Sequence, residues 1–319
     1  MDVRGDAFRI AQFTDLHLGE GGDDMAVLRL MRRVVATERP DLIVFTGDQV
    51  AGYAVFWEQN REALWLRALS VAAEFGVPFA TVFGNHDDQP YRIDPFLWHG
   101  LALPGGLATL VIFLLMLRSR APSACRVVAV SVMLLFFFMH CATTPTAAWR
   151  RFLLEQERQT HPRLSYTGDG DYRLVLRGQN NSVALYFLDT GGGRMPEAIR
   201  QEQLDWLRGF EAPMPSLAFM HIPPFGNTVF NASVCTGPAP REGISSLSGS
   251  GPLLQTLAEI GTIGVFVGHD HDNSWCCPDG AMLLCYGRHM GGYGTLTPGA
   301  RIIDLRLGEV AFKTRVMEY

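Results

Sequence analysis

The sequence has no block of like charges and a net charge of only -5 at pH 7, so it lacks the usual signs of a nucleic-acid-binding face or a polybasic membrane patch. Its start, Met1-Asp2-Val3-Arg4-Gly5-Asp6, runs into a strand-like stretch by Phe8 without the charged, apolar and small-residue zones of a secretory leader. A cytosolic start is therefore the expectation. Cysteine is scarce, with six in 319 residues and Cys276 next to Cys277. Such a set reads as reduced, buried thiols rather than a disulfide framework. Adjacent cysteines are poorly placed to share an ion or to bridge each other, and no other pair has zinc-finger spacing. Without a secretory route, the acceptor-like triplets Asn180-Asn181-Ser182 and Asn231-Ala232-Ser233 carry no weight.

Apolar residues are abundant. At 48% hydrophobic against 18% charged, the chain can bury a large core without a staple, and one catalytic domain over residues 1–319 with an insertion fits best. Runs at Phe8 to Phe13, Leu42 to Phe45, Phe79 to Phe83, Val183 to Leu188, Leu217 to Met220 and Val265 to Val267 read as buried strands. Helix-period stretches lie between them at Met25 to Glu38, Trp57 to Phe75, Glu197 to Phe210 and Pro252 to Ile260. This alternation predicts an α/β architecture. Met282 to Tyr286, Arg301 to Leu307 and Val310 to Val316 are strand-like with little helix between them, which suggests a second sheet with antiparallel pairing. Pro223 to Gly251 reads as a long surface loop of the kind that borders active sites.

The segment from Gly100 to Thr146 breaks the pattern. Its apolar stretches, Leu101 to Leu117 and Val127 to Ala142, are 17 and 16 residues long. At the helical rise each spans about 25 Å, against a hydrocarbon core of roughly 30 Å. Two readings stand: a membrane-associating helical hairpin through 101–142, or a spurious translated piece of the gene. Arg118, Arg120 and Arg126 between the stretches compete with Arg150 and Arg151 beyond them, so orientation stays open.

The chemistry is concentrated at strand ends. Phe13-Thr14 leads to Asp15-Leu16-His17, Phe45-Thr46 to Gly47-Asp48, Phe83 to Gly84-Asn85-His86-Asp87, Met220 to His221, and Val267 to Gly268-His269-Asp270-His271. In an open α/β sheet the carboxyl ends of strands gather in one crevice, so residues far apart in sequence converge. Gly-Asp occurs five times in the chain, and that dipeptide alone says little. The weight lies in five blocks in series that supply carboxylate, amide and imidazole ligands. Such a mixture suits two divalent or transition metal ions, Mn, Fe or Zn. Asp15, His17 and His271 would hold one ion, Asn85, His221 and His269 the other, and Asp48 would bridge them. Glycines before Asp48, Asn85 and His269 permit close backbone approach.

These blocks resemble the calcineurin-like metallophosphoesterases, whose pattern is Asp-x-His, Gly-Asp, Gly-Asn-His-Asp/Glu, His and Gly-His-x-His. Tyr186-Phe187-Leu188-Asp189 with Gly191-Gly192-Gly193, His221-Ile222-Pro223-Pro224, Trp275-Cys276-Cys277-Pro278, and Arg288-His289 through Gly291-Gly292-Tyr293-Gly294 are similar to the purple-acid-phosphatase-29-like branch, which includes a fungal phosphoprotein phosphatase. The resemblance covers residues 8–98 and 149–319. It implies a four-layer α/β/β/α sandwich with two mixed sheets and a hydrolase acting on phosphoric esters. Purple acid phosphatases carry a tyrosine ligand where this chain has Ala51, and lack the histidine found here as His17. The centre is therefore expected not to be purple.

The resemblance further implies hydrolysis of phosphate monoesters, with phosphoproteins as candidate substrates, by a hydroxide generated between the ions. A phosphodiesterase acting on cyclic nucleotides or nucleic acid is the alternative. A catalytically silent binding protein is the alternative of another class. His86, the one motif histidine outside the ligand set, becomes the general acid, with Asp87 as its orienting partner. Arg288 and His289 become phosphate contacts. Asp189 is left structural, and His99, His140 and His161 are read as surface or packing residues.

Overall fold

The computed structural model describes every residue except 4, 56–57, 90–145, 169, 194, 211, 250 and 319. Strands are β1 (Ala7–Phe13), β2 (Leu42–Thr46), β3 (Phe79–Val82), β4 (Tyr172–Arg177), β5 (Ser182–Leu188), β6 (Ser216–Met220), β7 (Thr262–Val267), β8 (Cys276–Asp279), β9 (Met282–Tyr286), β10 (Gly299–Arg306) and β11 (Ala311–Glu318). Helices are α1 (Asp24–Glu38), α2 (Glu58–Glu74), α3 (Thr146–Thr160), α4 (Gln201–Arg208) and α5 (Gly251–Glu259).

Two sheets result, ordered β11-β10-β1-β2-β3 and β4-β5-β6-β7-β9-β8. The inner strands of each are parallel: β1, β2 and β3 in one, and β5, β6, β7 and β9 in the other. Strand alternation builds the layers. Leu42 and Val44 of β2 join Val183, Leu185 and Phe187 of β5 in a core between the sheets. The intervening Ile43 and Phe45 face outward to a core shared with α1, α2 and α3. Likewise Ala184, Tyr186 and Leu188 of β5 turn to a core under α4 and α5. Because both faces of these strands are covered, their sequences are continuous apolar runs, as in parallel sheets generally. Stacked rings of Tyr172, Phe187, Phe219 and Phe266 cross the second sheet at centroid separations of 4.6, 5.4 and 5.3 Å. The order helix, sheet, sheet, helix is the expected four-layer sandwich.

Three expectations are corrected. The C-terminal strands do not form a sheet of their own. β9 runs parallel to β7 in the second sheet, whereas β10 and β11 extend the first by antiparallel pairing of β10 with β1. Apolar alternation specifies that a segment is a strand but not which strand it neighbours. The helical stretch Glu197 to Phe210 shortens to Gln201–Arg208.

The four cysteines among the described residues are not reduced thiols: Cys235 bridges Cys277, and Cys276 bridges Cys285. Successive side chains of β8 point to opposite faces, so the adjacent sulfurs cannot compete for one partner. Cys276 sits directly across from Cys285 in the β8–β9 pair and lies in the core between the sheets, while Cys277 lies in the core under α4 and α5. β8 is an edge strand, which is why Pro278 is tolerated in it. Its outer side is met by the loop after β6, where Thr236 and Cys276 exchange backbone hydrogen bonds.

The apolar hairpin expected within Gly100 to Thr146 lies outside the described residues, apart from Thr146, which opens α3. Among the described residues no helix is long and apolar enough to cross a membrane.

Candidate metal centre

Five parallel strands, three from one sheet and two from the other, end at one crevice: β1 before Asp15 and His17, β2 before Asp48, β3 before Asn85, β6 before His221 and β7 before His269 and His271. The backbone there is strained. Asp15, His17, Asp48 and His269 all have positive φ, at 52°, 48°, 53° and 79°. Only two other non-glycine residues among those described do so, Arg39 and Val310. Such conformations persist where surrounding structure over-determines them, and they concentrate at functional sites. Gly84 shows why a glycine precedes Asn85: a Cβ there would lie 2.1 Å from Oδ1 of Asp48.

The donor atoms fall into two groups, Asp15 with His17 and His271, and Asp48 with His221 and His269, each within 4.8 Å of one another. Oδ1 of Asn85 joins the second group, 3.0 Å from Nε2 of His221 and 3.1 Å from Nδ1 of His269. Asp48 stands between them. Its Oδ1 accepts the backbone N–H of His86 at 2.8 Å, which leaves Oδ2 facing His221 at 3.2 Å and His17 at 3.5 Å. All seven expected ligand residues are thus brought together, and all but the half-buried His269 are buried.

Electrostatics fit a cation-binding site. Burial works against ionisation of Asp15, yet His271 and His221 hold its carboxyl below the usual range. Asp48, equally buried, is held well below that range by His221, His86 and His17. In His221, burial opposes the charge, but Asp48 and Asp15 push it up to about 10. Burial likewise opposes protonation of His271, which Asp15 raises to about 9. Burial lowers both His17 and His269 to about 4, the neutral form a metal requires. Neither ring nitrogen of His17 has a hydrogen-bond partner, although the side chain is fully buried. An orphaned imidazole beside two carboxylates is what a ligand set supplies. His221 donates Nδ1–H to the carbonyl of Thr46 at 2.8 Å, which directs Nε2 at the carboxylates as second-sphere partners of ligands do.

His86 stands beside the ligands, its Nε2 3.9 Å from Oδ2 of Asp48. Its orienting partner is Gln89, whose Oε1 lies 2.5 Å from Nδ1, and not Asp87. Asp87 instead accepts three backbone N–H groups, from Gly84 at 2.7 Å, Val50 at 2.9 Å and Asp48 at 3.0 Å, and so laces two ligand loops together. Burial and the charge of Asp48 push its carboxyl up to about 7.

The two residues expected as phosphate contacts, Arg288 and His289, are both tied into the fold. Nη2 of Arg288 donates to Glu318 on β11, while its buried Nε and Nη1 have no hydrogen-bond partner among the described residues. The ring nitrogens of His289 lie against the carbonyl oxygens of Leu296 and Gly291, at 2.9 and 3.2 Å, and the ring stacks on His271. Motif position marked both residues, but their hydrogen bonds are made within the fold.

Sequence reasoning missed the supports of the Asn85 loop. Arg150 of α3 is buried and donates to Asp88 at 2.6 Å, to Asp189, and to the carbonyls of Gly84 and Gly191, both at 3.2 Å. Asp189 is therefore structural, as expected. Arg61 of α2 lies over the ring of Trp149 at 5.3 Å and donates to the carbonyl of Gln89 at 3.1 Å. Neither arginine has a local signal, because their partners lie tens of residues away. Tyr53 and Tyr293 flank His17 at centroid distances of 6.4 and 6.0 Å, and Tyr53 donates its hydroxyl to Glu20. A cavity of about 390 Å³ lined by His17, Glu20, Gly292 and Tyr293 opens beside them.

A double sheet whose strand ends assemble two adjoining His/Asp groups has the framework of a dinuclear metal-binding protein. The sequence profile described as calcineurin-like phosphoesterase matches residues 8–273, and the chain belongs to that family, which uses a dinuclear metal centre. It is 28% identical to "Probable inactive purple acid phosphatase 28" of Arabidopsis thaliana, over 95% of this chain and 76% of that protein. It is 25% identical to Phosphatase DCR2 of Saccharomyces cerevisiae, over 88% of this chain but only 47% of the yeast protein. Among solved structures, a dimetal phosphatase from Danio rerio shares the fold, with a TM-score of 0.51 at 13% identity over 98% of this chain and 99% of that one.

Proposed function

We propose that the protein is a phosphomonoesterase. The observation that supports this most is the complete ligand constellation with His86 standing outside it. The donor set fits two ions of Mn, Fe or Zn, which would acidify a bound water and neutralise charge on the phosphoryl group. The chain's own residues do the rest. Asp48 is oriented by the N–H of His86 so that one oxygen faces both groups, and Asn85 is fixed between His221 and His269. With Nδ1–H donated to Gln89, His86 presents Nε2 towards the centre, and in its imidazolium form can deliver a proton to a departing oxygen.

The relatives described as probable inactive give one specific reason for a second reading, a metal-binding protein without catalysis. The intact ligand set favours the enzyme. A metal-analysed preparation tested side by side on an aryl phosphate, an alkyl phosphate, a phosphopeptide, a bis-aryl phosphate and a cyclic nucleotide decides. Turnover of monoesters, abolished by Asp48→Ala, supports the proposal. Preference for diesters replaces it with a phosphodiesterase, and metal-loaded protein inert on all five supports the silent reading.

A further inference from the structure

The two bridges and two exposed asparagines belong to one account. Cys235–Cys277 and Cys276–Cys285 join buried strands to each other and to a surface loop. Disulfides of this kind form and persist in oxidising compartments. In such a compartment the Asn-x-Ser triplets become meaningful. Asn180 is exposed in the turn between β4 and β5, followed by Asn181 and Ser182. Asn231 is exposed in the loop after β6, where Oδ1 accepts the backbone N–H of Ser233 at 3.0 Å and Nδ2 is left to solvent. It precedes the bridged Cys235 by four positions, and Cys235 N–H bonds back to the carbonyl of Asn231 at 2.8 Å. Neither asparagine belongs to the metal centre.

We infer that Asn180 and Asn231 are N-glycan acceptors of a chain that matures in an oxidising compartment, in place of the cytosolic setting expected from its start. Each bridge forms as two thiols lose two protons and two electrons to the disulfide of a thiol oxidoreductase, which becomes a dithiol. Each glycan joins as Nδ2 displaces a lipid diphosphate from the anomeric carbon of a lipid-linked oligosaccharide. A C–N bond forms, the C–O bond to the diphosphate breaks, and the amide gives up one proton.

The test is peptide mapping of protein isolated from its native cells, released with an amidase specific for N-glycans in heavy-oxygen water and digested without reduction. Labelled aspartate at positions 180 and 231, in a map that retains the Cys235–Cys277 and Cys276–Cys285 peptides, supports the inference. Ser182→Ala and Ser233→Ala should each remove one mass increment while leaving the asparagine in place. Unmodified asparagine at either position overturns the inference, whatever the state of the thiols.

Discussion

Oδ2 of Asp87 accepts the backbone N–H of Asp48 at 3.0 Å, so a residue that ligates nothing holds the residue placed to bridge the centre. Asp87→Ala would orphan three buried N–H groups, each costing about 1–3 kcal/mol. We expect a large loss in denaturant midpoint together with weaker metal uptake on titration. If Asp87 acted through His86 instead, stability would hold and only the dependence on leaving group would change.

Asp48→Ala should be more damaging than Asp15→Ala or Asn85→Ala, because its Oδ2 faces both donor groups. Elemental analysis of each purified variant provides the check. Retention of two ions by Asp48→Ala would remove the bridging role. No tyrosinate band is expected in the visible spectrum, since Ala51 replaces the ligand and burial with Glu20 holds the hydroxyl of Tyr53 far above its usual range.

His86→Ala should slow an alkyl phosphate by about the 10²- to 10⁴-fold typical of general acid catalysis, and an aryl phosphate with a good leaving group by less. Gln89→Ala should move in the same direction with smaller amplitude, since Gln89 only orients the ring. Equal losses on both substrates would remove the proton-donor role.

Glu157 of α3 is buried and accepts hydrogen bonds from Ser165 at 2.8 Å and Thr81 at 3.1 Å. Burial nevertheless pushes its carboxyl up to about 7, from 4.5. The folded chain holds this proton more tightly than the unfolded chain, so the benefit is complete below pH 4.5 and is lost as pH rises to 7, on the order of 3 kcal/mol. Glu157→Gln keeps an acceptor without the charge, and urea titrations from pH 5 to 8 should show a flatter loss of stability. An unchanged slope would mean that Glu157 ionises freely in the fold.

The ligand set was legible because each ligand follows an apolar run directly, and a strand end is visible in a few consecutive residues. The same runs pointed to an α/β alternation, while the four-layer order came with the family resemblance. What pairs with what was not legible. β10 reaches β1 from the other end of the chain, and the partners of Cys276 and Cys277 depend on which face of β8 each occupies. The work of Asp87 was hidden for another reason, since its partners are backbone N–H groups that no side-chain pattern announces. Arg288 and His289 are residues whose types suit phosphate, but one donor of Arg288 goes to Glu318 and both ring nitrogens of His289 to loop carbonyls, which motif position does not announce.

Arg61 reaches Gln89 on one side and Trp149 on the other, so one side chain of α2 braces both. Any shift of α2 is thereby passed to Gln89, and through Gln89 to the ring of His86.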